Sequence, residues 1–405
     1  MAIRYLLLIF FLLLYSAQAQ AETLTLDQAL SRALENTPAS ARIARDVADR
    51  NARAREWETM QNPEFEADNR FGNSAGEDGL DVEFTQPMKL SYFGDRQALA
   101  EAIRQTASLE ERTQILAAMH DTTRRYLELW LLQQHAEFLK ENLAFARKTN
   151  STVQKAAKSG ELRLSDSHLF NAETLKFQEE LRELETAIKT HQLDFLQQLG
   201  MEAQELTLAH PQPAQPLAST EQLKLLAKAT PRQILESRRK EADQRLAVAR
   251  SDAYLPEISP RLLYSRGYDT SREEVGFGIR LSIPLWNRGE AEVSRAEAEK
   301  RFVDMSLAAY DRIGYDRLLE SQREKASASI DRLKQYEGAI LPAYEKSFSA
   351  TRDMFKGGQA SVLQLWQVHE RLHDVQKKTL EVHQDAFEAV MELETLLGQP
   401  LGGNQ

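Results

Sequence analysis

Hydrophobic residues recur along this chain with two periods. In four short stretches they alternate with polar residues, the period of a strand that is apolar on one face. Phe65, Ala67 and Phe71 alternate with Glu64, Glu66, Asp68 and Arg70. Leu80, Val82, Phe84 and Met88 alternate with Asp81, Glu83 and Thr85. Ile258, Leu262, Tyr264 and Tyr268 alternate, less cleanly, with Ser259, Arg261 and Ser265. Val275, Phe277, Ile279, Leu281, Ile283 and Leu285 alternate with Gly276, Gly278, Arg280 and Ser282. Polar, glycine-containing loops at 72–79 and 267–274 join the strands in pairs.

Elsewhere the period is helical. The predicted tracts are 26–60, 96–158 and 164–199, then 221–254, 290–336 and 340–397. Asn62-Pro63 ends the first, and Pro342 kinks or breaks the last region. Ile103, Ile115, Leu116, Met119, Leu127, Trp130 and Leu131 form a narrow stripe on the second. At the helical rise that tract is on the order of 90 Å long, too long for a compact globule. Its stripe is expected to be buried against neighbouring helices, as in a coiled coil.

The pattern is written twice. Thr37-Pro38 returns as Thr230-Pro231, and Pro63-Glu64-Phe65 as Pro256-Glu257-Ile258. Phe84-Thr85-Gln86-Pro87 returns as Leu281-Ser282-Ile283-Pro284, and Lys158-Ser159-Gly160 as Lys356-Gly357-Gly358. Four landmarks in one order indicate a tandem duplication. The predicted organisation is a first repeat at 22–209, a proline-rich linker at 210–220 and a second repeat at 221–405. Each repeat reads helix, strand, strand, helix, helix. Residues 1–21 read as a secretory signal peptide: Arg4, an apolar run, then Ala17-Gln18-Ala19. The run is shorter than the ~20 residues of a membrane-spanning helix.

Composition narrows the chemistry. The formal net charge of −10 argues against general nucleic-acid binding, which needs a basic face. The absence of cysteine removes disulfides, thiolate metal sites, thiol nucleophiles and lipid attachment through an N-terminal cysteine. A mean hydropathy of −0.51 excludes a multi-helix membrane transporter. It does not exclude a membrane β-barrel, whose alternating strands leave no hydropathy peak. His369 and His373, four apart with Asp374 beside them, have the spacing of a metal pair, but such pairs are common on charged helices without a metal. His120, His135, His168, His191, His210 and His383 show no ligand spacing. With no phosphate loop and no nucleophile elbow, the expectation is no enzyme, no cofactor and no metal.

The strands admit two readings: soluble hairpins with one buried face, or membrane strands. Aromatic residues stand where helix gives way to strand: Trp57, Tyr92 and Phe93 in one repeat, Tyr254 and Trp286 in the other. Such residues favour a membrane interface. Four strands cannot close a barrel, so the membrane reading forces oligomerisation. Two chains give eight strands and three give twelve.

The chain resembles the outer-membrane efflux protein (TolC) family. The resemblance rests on the duplication, the glycine-centred turns and the opening Leu24-Thr25-Leu26-Asp27-Gln28-Ala29-Leu30. Gln61-Asn62-Pro63-Glu64-Phe65-Glu66 and Phe84-Thr85-Gln86-Pro87 are most similar to its heavy-metal, CzcC-type branch. The resemblance implies a mostly α fold with a small β part. A homotrimer would share a twelve-stranded outer-membrane β-barrel, continued into the periplasm by a helical barrel. It implies a passive exit duct, lipid around the strands, a periplasmic adaptor protein at the helical tips, and an inner-membrane resistance–nodulation–division pump. Divalent heavy-metal cations would be the cargo. Drug efflux, type I secretion and, in a different class, a soluble periplasmic coiled-coil scaffold stay open.

The resemblance also assigns roles to residues. Gly160, Leu164 and Asp166 on one turn, with Phe355, Gly358 and Ala360 on the other, would form the periplasmic tip, gate and adaptor contact. Phe355 and Ala360 replace a tyrosine and an arginine that lock the gate in TolC, so that lock cannot form here. Asp166 reads equally as a helix cap. Glu64, Glu66, Asp68, Asp81 and Glu83, against Arg70, Arg261 and Arg280, would line the barrel lumen and favour cations unless they pair across strands.

Overall fold

The structure is a computed structural model. It describes residues 23–401 except 36, 72–77, 161, 216–218, 269–272, 285 and 287, and describes 166 by its backbone alone. The expected signal peptide lies outside the described residues.

The fold is a rod of helices with a sheet at one end. The first repeat contains β1 (Thr23–Leu24), α1 (Leu26–Ala33), α2 (Pro38–Glu58), β2 (Glu64–Arg70), β3 (Gly79–Thr85), β4 (Met88–Lys89), α3 (Asp95–Lys158), α4 (Leu164–Gln198) and β5 (Thr207–Leu208). The second contains α5 (Thr220–Leu226), α6 (Pro231–Tyr254), β6 (Glu257–Gly267), β7 (Glu273–Ser282), α7 (Glu290–Ile313), α8 (Tyr315–Gln335), α9 (Leu341–Lys356) and α10 (Val362–Leu397). A π-turn, Tyr336–Ile340, joins α8 to α9.

Four tracts expected to be single helices are divided, the 340–397 tract at the Gly357-Gly358 turn that separates α9 from α10. The 26–60 tract breaks at Thr37, which caps α2 in a reciprocal pair with Ser40 while Pro38 opens the helix. Thr230, paired with Gln233 and followed by Pro231, does the same for α6. The repeated Thr-Pro is therefore a helix start in both repeats, since proline suits the first turn and cannot continue a preceding helix. The 290–336 tract breaks at Gly314, whose φ of +83° few other residues adopt. Pro342 falls in the first turn of α9, and the Leu341 amide reaches back to the Tyr336 carbonyl.

α3 is 64 residues long, on the order of 95 Å at the helical rise. It packs against α2, α4, α6 and α10, and α10 packs against α8 and α9. The core is accordingly a string of clusters along the rod. One gathers Tyr126, Trp130, Phe195 and Leu208; another Leu139, Phe170, Phe177 and Trp366; a third Leu223, Leu319, Ile330 and Leu393. β1 and β5 pair in parallel, clasping the start of the first repeat to its end. The Tyr126 hydroxyl lies 2.8 Å and 2.7 Å from the Leu24 and Ala209 carbonyl oxygens, and burial pushes its pKa to about 12. Among the described residues no helix is long and apolar enough to cross a membrane.

Candidate functional site

Strand register builds the sheet from both repeats. β2 pairs with β3, and β6 with β7, as two antiparallel hairpins. β3 then pairs with β6, setting Val82 opposite Tyr264 and Phe84 opposite Leu262. β2 and β3 are each 7 residues long, shorter than expected; β6 has 11 and β7 has 10. The first repeat recovers length after an interruption at Gln86-Pro87, where β4 rejoins β6 through Met88 and Ile258. Proline cannot donate to the ladder, which explains the gap.

The register sorts the side chains onto two faces. Phe65, Val82, Phe84, Leu262, Tyr264, Val275, Phe277, Ile279 and Leu281 share one. Phe65 is 71% exposed, Val275 73% and Phe277 75%, so this face is no core. No helix covers it among the described residues, and the outer edges of β2 and β7 have no strand partner there. A contiguous apolar face between two open edges is a surface made to be covered.

The polar face carries the expected lumen residues. Glu66 stands opposite Glu83, and Asp68 opposite Asp81. Like charges so placed repel, and arginines answer two of them. Arg70 lies 2.8 Å from Asp81, while Arg261 and Arg280 each lie 3.1 Å from Glu83. Cross-strand pairing thus occupies Asp81, Glu83 and Arg280. Glu64, Glu66 and Asp68 have no ion-pair partner among the described residues. Their uncompensated charge gathers on β2. Gly276 and Gly278 leave room on this face for Leu263 and Arg261, the nearest side chains to their missing Cβ atoms.

The junction aromatics part company. In the second repeat Trp286 is 94% exposed and Tyr254 is exposed as well. Tyr92 is 6% exposed and cannot serve on an interfacial girdle as expected; Trp57 is half-buried. Both rings hold Arg96, whose guanidinium carbon lies 4.6 Å from the Tyr92 centroid and 5.3 Å from that of Trp57. Arg96 also bonds Asp252 and Ser91, and Lys89 lies 3.4 Å from the same aspartate. This polar knot, where strands enter the shaft, carried no sequence signal, because Asp252 lies in the other repeat.

At the far end of the rod α3 turns into α4, and α9 into α10. Gly160 and Gly358 have φ of +81° and +73°. In each turn an amide closes back onto the end of the preceding helix: Leu162 to the Ala156 carbonyl, and Gln359 to that of Met354. Phe355 is half-buried and packs with Leu162 on the cluster of Val153, Phe170 and Trp366. Leu164 is exposed and Ala360 partly so. The side chain of Asp166 lies outside the described residues.

The histidines also depart from the sequence reading. His369 and His373 do not converge on one point, since each contacts a different atom of the Asn142 amide, at 3.0 Å. Burial drops the His369 pKa to about 4. His373 instead meets His135 and Glu180 from two other helices, a convergence invisible to spacing along the chain.

No protein-family model matches the chain, and no curated protein matches it by sequence. Its fold does match solved structures. CusC, solved in a study of conformational changes accompanying folding and transmembrane channel formation, gives a TM-score of 0.72 at 16% identity over 92% of each chain. VceC, an outer membrane protein of Vibrio cholerae, gives 0.72 at 16% identity, over 93% of this chain and 96% of that one. The CmeC outer membrane channel of Campylobacter jejuni gives 0.71 at 12% identity, over 94% and 87%. At these identities the likeness is one of fold.

Proposed function

We propose that this chain is the outer-membrane channel of a tripartite efflux system, a passive exit duct. The observation that carries this reading is the sheet: one largely exposed apolar face, one charged face and two open edges, mounted on a long helical shaft. Open edges in lipid leave backbone groups unpaired, so chains must join edge to edge until a barrel closes. Three chains supply twelve strands. Lipid then covers the Phe277 face, and the Glu64 face lines a water-filled lumen. The shared fold of CusC and CmeC supports the same assembly. Energy and substrate choice would reside in an inner-membrane resistance–nodulation–division pump, reached through a periplasmic adaptor docked at the Gly160 and Gly358 turns. Divalent heavy-metal cations are the cargo we favour, on the motif resemblance and the unpaired carboxylates of β2.

The first experiment is the detergent-corrected mass of protein extracted from outer-membrane fractions. A trimer that opens ion-conducting pores in planar bilayers is expected. A soluble monomer or dimer in the periplasmic fraction would overturn the duct and leave a coiled-coil scaffold. Sensitivity of a deletion strain to zinc, cobalt and cadmium salts, rather than to drugs, would then test the cargo.

A further inference from the structure

The segment joining the repeats crosses the shaft beside the π-turn and α10. Three side chains from these separate stretches meet there: His210, Glu337 and His383. Their donor atoms all lie within 4.8 Å of one another. His383 Nδ1 is 3.3 Å from Glu337 Oε1, and His210 Nε2 is 3.9 Å from the same oxygen.

The chemistry of the His383 ring is constrained by its other nitrogen. Nε2 lies 3.1 Å from the Pro211 carbonyl oxygen, which can only accept, so Nε2 carries the proton and donates it. In the neutral ring the Nδ1 lone pair then faces a carboxylate. Two acceptors at that distance repel unless a proton or a cation lies between them. One nitrogen committed to a backbone carbonyl and the other aimed at further ligands is the usual posture of a metal-binding histidine. Packing holds the posture: the His383 side chain is 2% exposed, 4.7 Å from the Trp130 ring and 5.6 Å from that of Phe387. Glu337 comes from the one π-turn described in the chain, and such turns are often found at functional sites.

We propose that His210, Glu337 and His383 bind a divalent transition-metal ion of the zinc type, clipping the inter-repeat linker to the π-turn and α10. The spacing suits it. Two donors on a tetrahedral zinc ion, each at about 2.0–2.2 Å, lie about 3.4 Å apart, close to the separations found. Two imidazoles favour zinc, cobalt, nickel or copper over magnesium and calcium, which take oxygen ligands. Water would complete the shell. The clip is a resident site and does not depend on what the duct carries.

The test uses tag-free, full-length protein in detergent, stripped with chelator and titrated with Co²⁺, followed by competition with Zn²⁺. The expected result is intense visible cobalt absorption of a tetrahedral site, abolished by zinc. His210→Ala and Glu337→Gln should each weaken cobalt binding at least tenfold, with circular dichroism and oligomer mass unchanged. Both side chains are more than a third exposed, so folding should survive. His135→Ala serves as the control, because His135, Glu180 and His373 form a second His–Glu–His cluster elsewhere along α10. It should leave the cobalt spectrum intact. Absence of cobalt binding, unchanged binding in His210→Ala and Glu337→Gln, or loss only in His135→Ala would each overturn the proposal. A ring that merely ion-pairs with Glu337 through a second proton would give the first of these.

Discussion

The shaft and the sheet use the same residue types in opposite ways. In the shaft, Leu139 and Leu393 are fully buried between helices. In the sheet, Phe277 and Val275 stand about three-quarters exposed on the face of a strand. Within one chain the shaft buries most of its apolar stripes, though Phe302 and Met305 stand exposed on a helix, while the apolar face of the sheet lies open. Burial inside the chain stabilises the shaft; the apolar face of the sheet contributes only when lipid or another chain covers it.

Four substitutions or conditions bear on this contrast. The largest effect is expected at Gly398, which ends α10 with φ of +66°. A Cβ there would lie 2.2 Å from the Ala229 carbonyl oxygen, where the Lys228 amide also bonds Leu397. Gly398→Ala should cost roughly 3–5 kcal/mol, combining left-handed strain with overpacking. Chemical denaturation would measure it, and a loss below about 1 kcal/mol would refute the close approach.

Acid should loosen the shaft before the sheet. Burial, with the neighbouring His373 adding to it, holds the His369 pKa at about 4, below the ordinary 6.5. The unfolded chain then binds more protons between those values. The stabilisation is complete above pH 6.5 and is lost as pH falls towards 4, by up to about 3 kcal/mol. Replacing His369 with Phe should flatten this part of the stability–pH profile. An unchanged profile in the variant would assign the acid sensitivity elsewhere.

Arg96 sits at the border between the two regions. Arg96→Met keeps length and apolar contact with Tyr92 and Trp57 but strips Asp252 of its closest cation. The expected cost is about 2 kcal/mol, below that of a fully buried pair because Lys89 and Ser91 still face the aspartate. Restoration of wild-type stability by adding Asp252→Asn would show that the lost charge partner, and not packing, is responsible.

The smallest effect is expected at Phe277, and it is sharpest beside a buried shaft residue. Leu139→Ala should cost about 2–5 kcal/mol, as for a buried leucine. Phe277→Ala removes a larger side chain and should cost less than about 1 kcal/mol in detergent, because it fills no core. Equal losses at the two sites, read by thermal unfolding of the purified protein, would mean that Phe277 is buried against protein after all.

Legibility followed the range of the forces involved. The four strands and the long helices were visible because alternation and helical period act within a few residues. Helix breaks were read less well. Gly314 and the π-turn before Pro342 interrupt patterns whose apolar period continues across them. The apolar and charged faces were assigned correctly from alternation, but the pairing of Glu83 with Arg261 and Arg280 needed strand register. Tyr92 and Trp286 were indistinguishable as junction aromatics, and only packing separates the buried one from the exposed one.

By itself the sequence determined where the long helices and the four main strands lie and which strand face is apolar. Those properties follow from local geometry, since a period of 2 or 3.6 acts on neighbours in the chain. The tertiary structure alone decided which distant groups meet. It joined β3 to β6 across the two repeats, carried Asp252 to Arg96, and brought His210, Glu337 and His383 to one point. Helix packing and strand pairing set those encounters, and neither leaves a mark in the spacing of the residues they unite.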